Sequence, residues 1–237
     1  MPPKREEQLV IDCLKVQGFT NVVYEPDGNI PPDILVNGRI AIEVRRLNQN
    51  LVIGNGFKGL EQDEFAMYAL FRKIMNEVSD SGFSRSAFVC YSYERPLPEK
   101  KEIKSEVKRF LIEHKPYIEQ RREYEISANF KVRIVPSENK LEKQYQYGLS
   151  NDGDSGGVIV DLIYKNLELI IKEKETKVSG FKHKYPEWWL AVVDTIGYGM
   201  DDLDLRQFND LPKIKYDFNR ILLVSPLDQG KFLYLYE

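Results

Sequence analysis

The run DILVNGRIAIEVRRL, residues 33–47, constrains the fold more than any other stretch of this chain. Two apolar, β-branched segments flank Asn37-Gly38. Asn-Gly between such segments specifies a tight antiparallel hairpin, because both residues accept left-handed backbone. Helical periodicity surrounds it. Residues 5–17 place Val10, Cys13 and Leu14 on one face ahead of Gly18, and further helices are expected at 60–79, 99–114 and about 157–177. The 157–177 helix carries Val158, Leu162, Ile163, Leu167, Ile170 and Ile171 at a 3.6-residue period. Strands are expected at 21–24, 86–94, 129–135, 188–196, 220–226 and 231–237, whereas LNQNLVIGNGFKG reads as a glycine-containing loop. Helices and strands that alternate around an early hairpin point to an α/β fold, a three-layer sandwich with a mixed β-sheet flanked by helices. A single domain over residues 1–237 is expected, with a helical insertion at about 95–150.

Composition narrows the function. With 42% hydrophobic residues in 237, the chain can bury one sizeable core. No run approaches the length of apolar sequence that crosses a membrane. The start, MPPKREEQLV, is charged, so no secretory leader is expected. The two cysteines, Cys13 and Cys90, both lie in apolar periodic segments, which argues against a disulfide framework or a cysteine zinc site and for a cytoplasmic setting. A net charge of −3 exerts no global pull on nucleic acid, so any such binding needs a local patch. The string GDSGG at 153–157 matches the nucleophile segment of trypsin-like proteases. That mechanism needs a histidine base oriented by a carboxylate. The only histidines are His114, in a highly charged segment, and His183, which follows the serine in FKHKYPEWW. The string is therefore expected to be a glycine-rich loop in which Asp154 or Ser155 caps the next helix.

Carboxylates recur where chemistry could be built. Asp33 precedes Glu43 by ten residues, and Glu43, Arg45 and small Ala41 alternate with Ile40, Ile42 and Val44. On a strand, Glu43 and Arg45 then project from one face. Carboxylates match the oxygen preference of Mg²⁺ or Mn²⁺, and a neighbouring cation offsets charge on a phosphate. Pro32-Asp33 followed by Glu43-Val44-Arg45 resembles the PD-(D/E)xK nuclease superfamily, the restriction-endonuclease-like fold. EQLVIDCLKVQGF places Glu7 seven residues before Leu14 and is similar to the opening helix of archaeal Holliday junction resolvases. The resemblance covers residues 1–50. It implies a Mg²⁺- or Mn²⁺-dependent nuclease acting on DNA, with Asp33, Glu43 and Glu7 as metal ligands. Arg45 stands at the family lysine, and Gln49 resembles a glutamine found downstream of the motif. It also implies a homodimer as one form of assembly.

Two departures frame the alternatives. Arg45 cannot lose its proton, so it suits a purely electrostatic role and not a proton-accepting one. A two-residue Asn37-Gly38 turn pairs Val36 with Arg39 and sets Asp33 opposite Ile42, on the wrong face. A bulge, or a bend after Pro31-Pro32, must turn Asp33 back; should it face wrongly, Asp27, in EPDG, is the substitute, and a turn residue otherwise. The rival function is a catalytically inactive nuclease-like module that binds nucleic acid or a partner protein. Arg46, opposite Arg45 by strand parity, is either solvated or a phosphate contact. Lys172, Lys174, Lys177, Lys182 and Lys184 near Trp188-Trp189 read either as a phosphate-binding and base-stacking patch or as a solvated helix end with the tryptophans in the core. Asp201, Asp202 and Asp204 lack the pattern of a calcium loop and are expected to be solvated.

Overall fold

In a computed structural model, residues 2–54, 56–228 and 230–236 are described, and the chain forms two compact units. Unit 1 comprises Met1–Gly59 and Gly157–Glu237, and unit 2, Leu60–Gly156, is inserted between those segments. The insertion expected at about 95–150 falls within unit 2. The inserted segment begins earlier and carries its own sheet. The 231–237 strand expectation reaches Glu237, which lies outside the described residues.

Unit 1 opens with helix α1 (Arg5–Val16) and three strands, β1 (Val22–Tyr24), β2 (Ile34–Val36) and β3 (Ile40–Leu47). The 47–59 segment, expected as loop, is a hairpin of β4 (Asn50–Ile53) and β5 (Gly56–Gly59), paired over all four positions. Its flanking glycines masked a short run of strand-forming residues. The insertion follows with α2 (Glu61–Val78), β6 (Ala87–Tyr93), α3 (Lys100–His114), β7 (Arg122–Ser127), β8 (Phe130–Pro136) and β9 (Tyr145–Asp152). Unit 1 resumes with α4 (Ile159–Val178), β10 (Glu187–Asp194), α5 (Asp202–Asp210), β11 (Arg220–Val224) and β12 (Phe232–Tyr236).

The unit 1 sheet runs β1-β2-β3-β10-β11-β12. β1 to β3 form an antiparallel meander, β3, β10 and β11 are parallel, and β12 returns antiparallel. Strand alternation divides its side chains between two faces. Ile34, Ile42, Val44, Trp189 and Ala191 pack on Val10, Ile11, Cys13 and Leu14 of α1. Ala41, Leu47, Leu190, Val192 and Leu223 pack on Val160, Ile163, Leu167, Ile170 and Ile171 of α4 and Phe208 of α5. A mixed sheet flanked by helices on both faces is the α/β sandwich expected. α5 starts on Asp201, whose carboxylate accepts from the backbone N–H groups of Leu203 and Asp204, so the acidic run there is a helix cap.

Unit 2 is a four-stranded sheet, β7-β8-β6-β9, with α2 and α3 against a core that includes Phe71, Tyr91, Phe130 and Ile103. GDSGG lies past the end of β9 and caps nothing: α4 begins after Val158 without a side-chain cap. Instead, Arg95 gathers the carboxylates. Its guanidinium, 7% exposed, donates to Asp63 (2.9 Å), Asp152 (2.8 and 2.9 Å) and Asp154 (2.8 Å), and to the Leu60 carbonyl (3.2 Å). One cation therefore joins both ends of the inserted segment. Removing it leaves carboxylates crowded together without a counter-charge. Arg95→Leu is expected to lower unfolding stability by about 3 kcal/mol. Loss of the solvent-screened Arg109–Glu106 pair by Arg109→Leu should have a much smaller effect. Urea unfolding of both variants measures the difference.

His114 closes α3 fully buried, with Nε2 3.1 Å from the Gln120 carbonyl and Nδ1 unpartnered. Burial pulls its pKa below the ordinary value of 6.5, and Arg122 adds to the fall against the opposing Gln120 carbonyl. The folded chain therefore resists a proton that the unfolded chain accepts. The stability it contributes is intact above pH 6.5 and is lost as pH falls below that value. Urea midpoints between pH 7.5 and 5 should show a decline that His114→Phe flattens.

Candidate functional site

The hairpin register brings the acidic residues together. The β2–β3 connection has three residues, Asn37, Gly38 and Arg39, because Val36 pairs with Ile40. Asn37 and Gly38 adopt φ of 53° and 64°, and the Arg39 N–H donates to the Val36 carbonyl at 3.0 Å. The expected Val36–Arg39 pairing is therefore shifted by one. Ile34 faces Ile42, and continuing the ladder sets Asp33 opposite Glu43, on the same face of the sheet. The Val44 N–H donates to Asp33 Oδ2 at 2.7 Å and fixes that carboxylate. Asp27 is not needed as a substitute. It accepts from Lys184 (3.0 Å) and the Tyr185 hydroxyl (3.1 Å).

Glu43 faces α4, as Ala41 and Leu47 on the same strand do. It has no solvent exposure, and Lys174 and Lys177 of α4 supply the compensating charge. Lys174 Nζ lies 2.7 Å from Glu43 Oε2 and 3.6 Å from Asp33 Oδ2. Lys177 Nζ lies 2.8 Å from the same Glu43 oxygen and 3.4 Å from Asp33 Oδ1. The Lys174 side chain is 6% exposed and that of Lys177 41%. Glu43 Oε1 is buried and accepts no hydrogen bond. Burial pushes the Asp33 pKa up, but Lys174, the Val44 N–H and Lys177 outweigh it, and the carboxyl titrates below its ordinary value. Burial likewise pulls on Lys177, yet Glu43 and Asp33 hold its ammonium above the usual range.

Other expected site residues are placed elsewhere. Arg45 makes no ion pair with Asp33 or Glu43. Its Nε is 3.4 Å from Glu173 of α4, and its guanidinium is 5.9 Å from the Phe57 ring centroid. The cations on the carboxylates come from a helix more than a hundred residues away in the chain. Glu7, expected as a third ligand, belongs to the α1 start. It accepts from the Lys4 N–H (2.6 Å), Lys4 Nζ (3.3 Å) and the Tyr24 hydroxyl (3.0 Å). Among the described residues, no three His, Cys, Asp or Glu side chains group as metal ligands. Arg46 points opposite to Arg45, as parity requires, and donates from Nε to Glu6 of α1 at 2.7 Å. Gln49 lies in the β3–β4 connection, beside Asn50, whose backbone N–H and Nδ2 both reach Asn166 Oδ1 of α4 (2.8 and 3.0 Å).

The basic run separates by position. Lys172 is exposed and pairs with Glu168 at 2.9 Å, Lys182 pairs with Asp217, and Lys184 with Asp27. Trp188 and Trp189 are 3% and 2% exposed, so both belong to the core. Lys174 is the buried member, not part of a solvated helix end. A signal for it was present: 174 falls in phase with Leu167, Ile170, Ile171 and Val178, the stripe that α4 buries. A lysine on an otherwise apolar stripe needs a buried carboxylate, and Glu43 is that partner.

The pair Asp33–Glu43 fits a hard divalent cation. Mg²⁺ is commonly held by one or two carboxylates, with water and phosphate completing its shell. The unpartnered Glu43 Oε1 adds an oxygen that no protein donor claims. No helix among the described residues is long and apolar enough to cross a membrane. No family model, curated protein or solved structure compared with the chain matches it. Lys174→Met should uncover the carboxylates and cost about 3 kcal/mol at pH 7. Because Asp33 is held below its ordinary value of 3.8, the difference from wild type should shrink as pH falls below that value and the carboxyl takes a proton. Unfolding free energies at pH 7 and pH 3 test both statements.

Proposed function

We propose that the protein is a metal-dependent nuclease that hydrolyses phosphodiester bonds of DNA with the Asp33–Glu43 centre. The observation that carries this reading is the convergence of two carboxylates, one on β3 and one just before β2, with two ammonium groups within 3.6 Å. A helix, an antiparallel meander, a second helix and a strand parallel to β3 make up the surrounding unit. That order supports a restriction-endonuclease-like fold, as the 1–50 resemblance implies. A bound Mg²⁺ or Mn²⁺ would lower the pKa of a coordinated water and offset charge on the phosphate. Asp33 and Glu43 would hold it. Lys174, 2.7 Å from Glu43 Oε2, orients that carboxylate. Lys177, reaching solvent, meets the phosphate or the attacking water.

A lysine at this place removes the objection raised by Arg45. An ammonium is a compact point charge that two carboxylates can share, whereas a guanidinium is a planar fork. Arg45 then serves as a neighbouring cation, 3.4 Å from Glu173 and over Phe57. The rival reading is a nuclease-like module without catalysis. It is favoured by the ion pairs themselves, since two lysines balance two carboxylates without any metal.

Cleavage of plasmid and linear DNA with Mg²⁺ or Mn²⁺ separates the two. Wild type should cut only with metal, and Glu43→Gln and Asp33→Asn should each lose about a hundredfold or more in rate. Arg45→Met should lose far less. Cutting that survives Glu43→Gln rejects this centre. DNA affinity that falls with salt, with no cleavage under any metal, selects the binding module.

A further inference from the structure

Lys177 holds a position that a divalent cation would also need. Its Nζ bridges oxygens of two residues, Glu43 Oε2 of β3 at 2.8 Å and Asp33 Oδ1, just before β2, at 3.4 Å. Lys174 serves the same pair from the buried side, 2.7 Å from Glu43 Oε2 and 3.6 Å from Asp33 Oδ2. Two carboxylates and two ammoniums sum to zero charge. A divalent cation entering such a group gains little attraction while both ammoniums stay. One must leave, and the two are not equivalent. Lys174 is 6% exposed and lies on the apolar stripe of α4, so its withdrawal would strip a charge of its partners with no route to water. Lys177 is 41% exposed, on the last turn of α4, and its flexible stem can carry the ammonium into solvent.

We infer that Lys177 is an internal competitor for the divalent cation, occupying the oxygens of Asp33 and Glu43 that the metal takes and swinging out when it binds. This rests on the metal-dependent reading of the centre. The displaced ammonium carries a positive charge at the mouth of the site, where the phosphodiester of a substrate is its natural partner. Metal and phosphodiester therefore reinforce one another: each is bound more tightly when the other is present. In this way the centre discriminates against loading with metal until a nucleic-acid backbone arrives.

The test is Mn²⁺ titration of the intact chain, followed by the electron paramagnetic resonance signal of free Mn²⁺, without and with an uncleavable phosphorothioate oligonucleotide. Without oligonucleotide, Lys177→Met should bind Mn²⁺ about tenfold or more tightly than wild type, because the competing charge is gone. The oligonucleotide should tighten Mn²⁺ binding by wild type and have a smaller effect on Lys177→Met. Glu43→Gln should abolish binding in both backgrounds. Lys177→Gln, neutral and polar, gives the same expectation should the methionine variant fold poorly, with circular dichroism as the check. Mn²⁺ affinity of Lys177→Met and Lys177→Gln equal to or weaker than wild type overturns the inference, as does an absence of Mn²⁺ binding in all variants. Tighter binding without DNA cleavage supports it and removes the nuclease reading. Cleavage with unchanged Mn²⁺ affinity removes only this inference.

Discussion

The Val44 N–H, 2.7 Å from Asp33 Oδ2, ties the residue that precedes β2 to the strand that carries Glu43. That bond is available only because three residues, not two, join β2 to β3. With Val36 against Ile40, the acidic side chains emerge on the face that α4 covers. A slip of one residue would send Asp33 toward the other face, among apolar Val10, Leu14 and Ile42 and away from Lys174 and Lys177. A lone carboxylate in such surroundings costs several kcal/mol or takes up a proton. Asn37 and Gly38 make the longer turn accessible, since glycine and, after it, asparagine most readily adopt positive φ. Backbone chemistry at the hairpin tip thus sets the electrostatics of the centre.

Once the carboxylates share a face, burial dictates what must oppose them. Glu43 has no contact with solvent, so its charge needs close partners with no geometric play. Two ammoniums on a single oxygen supply this, each within 2.8 Å. A guanidinium at 45 cannot do the same. Its planar fork suits one carboxylate in the guanidinium plane, and here it turns toward Glu173 and Phe57. Buried ion pairs of this kind add little net stability over a well-packed apolar group, because desolvation offsets attraction. The proposed metal centre would give these ion pairs a use that folding does not require. Contrast Arg95, whose carboxylates tie the ends of the inserted segment and whose role is complete within the fold.

Local chemistry was legible in the amino-acid order, and long-range chemistry was not. Asn37-Gly38 announced the hairpin, and alternation along 40–46 put Glu43 and Arg46 on opposite faces, as found. The stripe on α4 and the strand at 187–194 were equally plain. The turn length was not, because Asn-Gly serves connections of more than one length, and a single added residue inverts which face Asp33 occupies. The extent of the insertion was hidden for a similar reason. Leu60–Gly156 carries the same periodicities as the rest, and the glycine-rich stretches at its ends, GNGFKG and GDSGG, read as ordinary loops and not as boundaries. Lys174 lay within a basic run, and its neighbours in sequence disguised it. Lys172, two residues before, is on the solvent side of the same helix.

Topology explains why lysines from α4 reach β3 at all. β3 and β10 are adjacent and parallel, and parallel neighbours need a crossover between them. The helix of that crossover is α4, and it must lie against the face of the sheet it spans. Glu43 is on that face and pairs with Leu190 of β10 in the ladder. Any polar residue on the inner stripe of α4 is then delivered to the strand pair beneath it, whatever number of residues intervenes in the chain. This is why ninety-odd inserted residues, Leu60–Gly156, leave the centre intact: they enter after β5, outside the elements that set its geometry. Lysine on the crossover helix and acid on the strand it covers is a solution that the chain order conceals. The strand motif alone, read as Glu43-Val44-Arg45, does not reveal the two lysines that pair with Glu43.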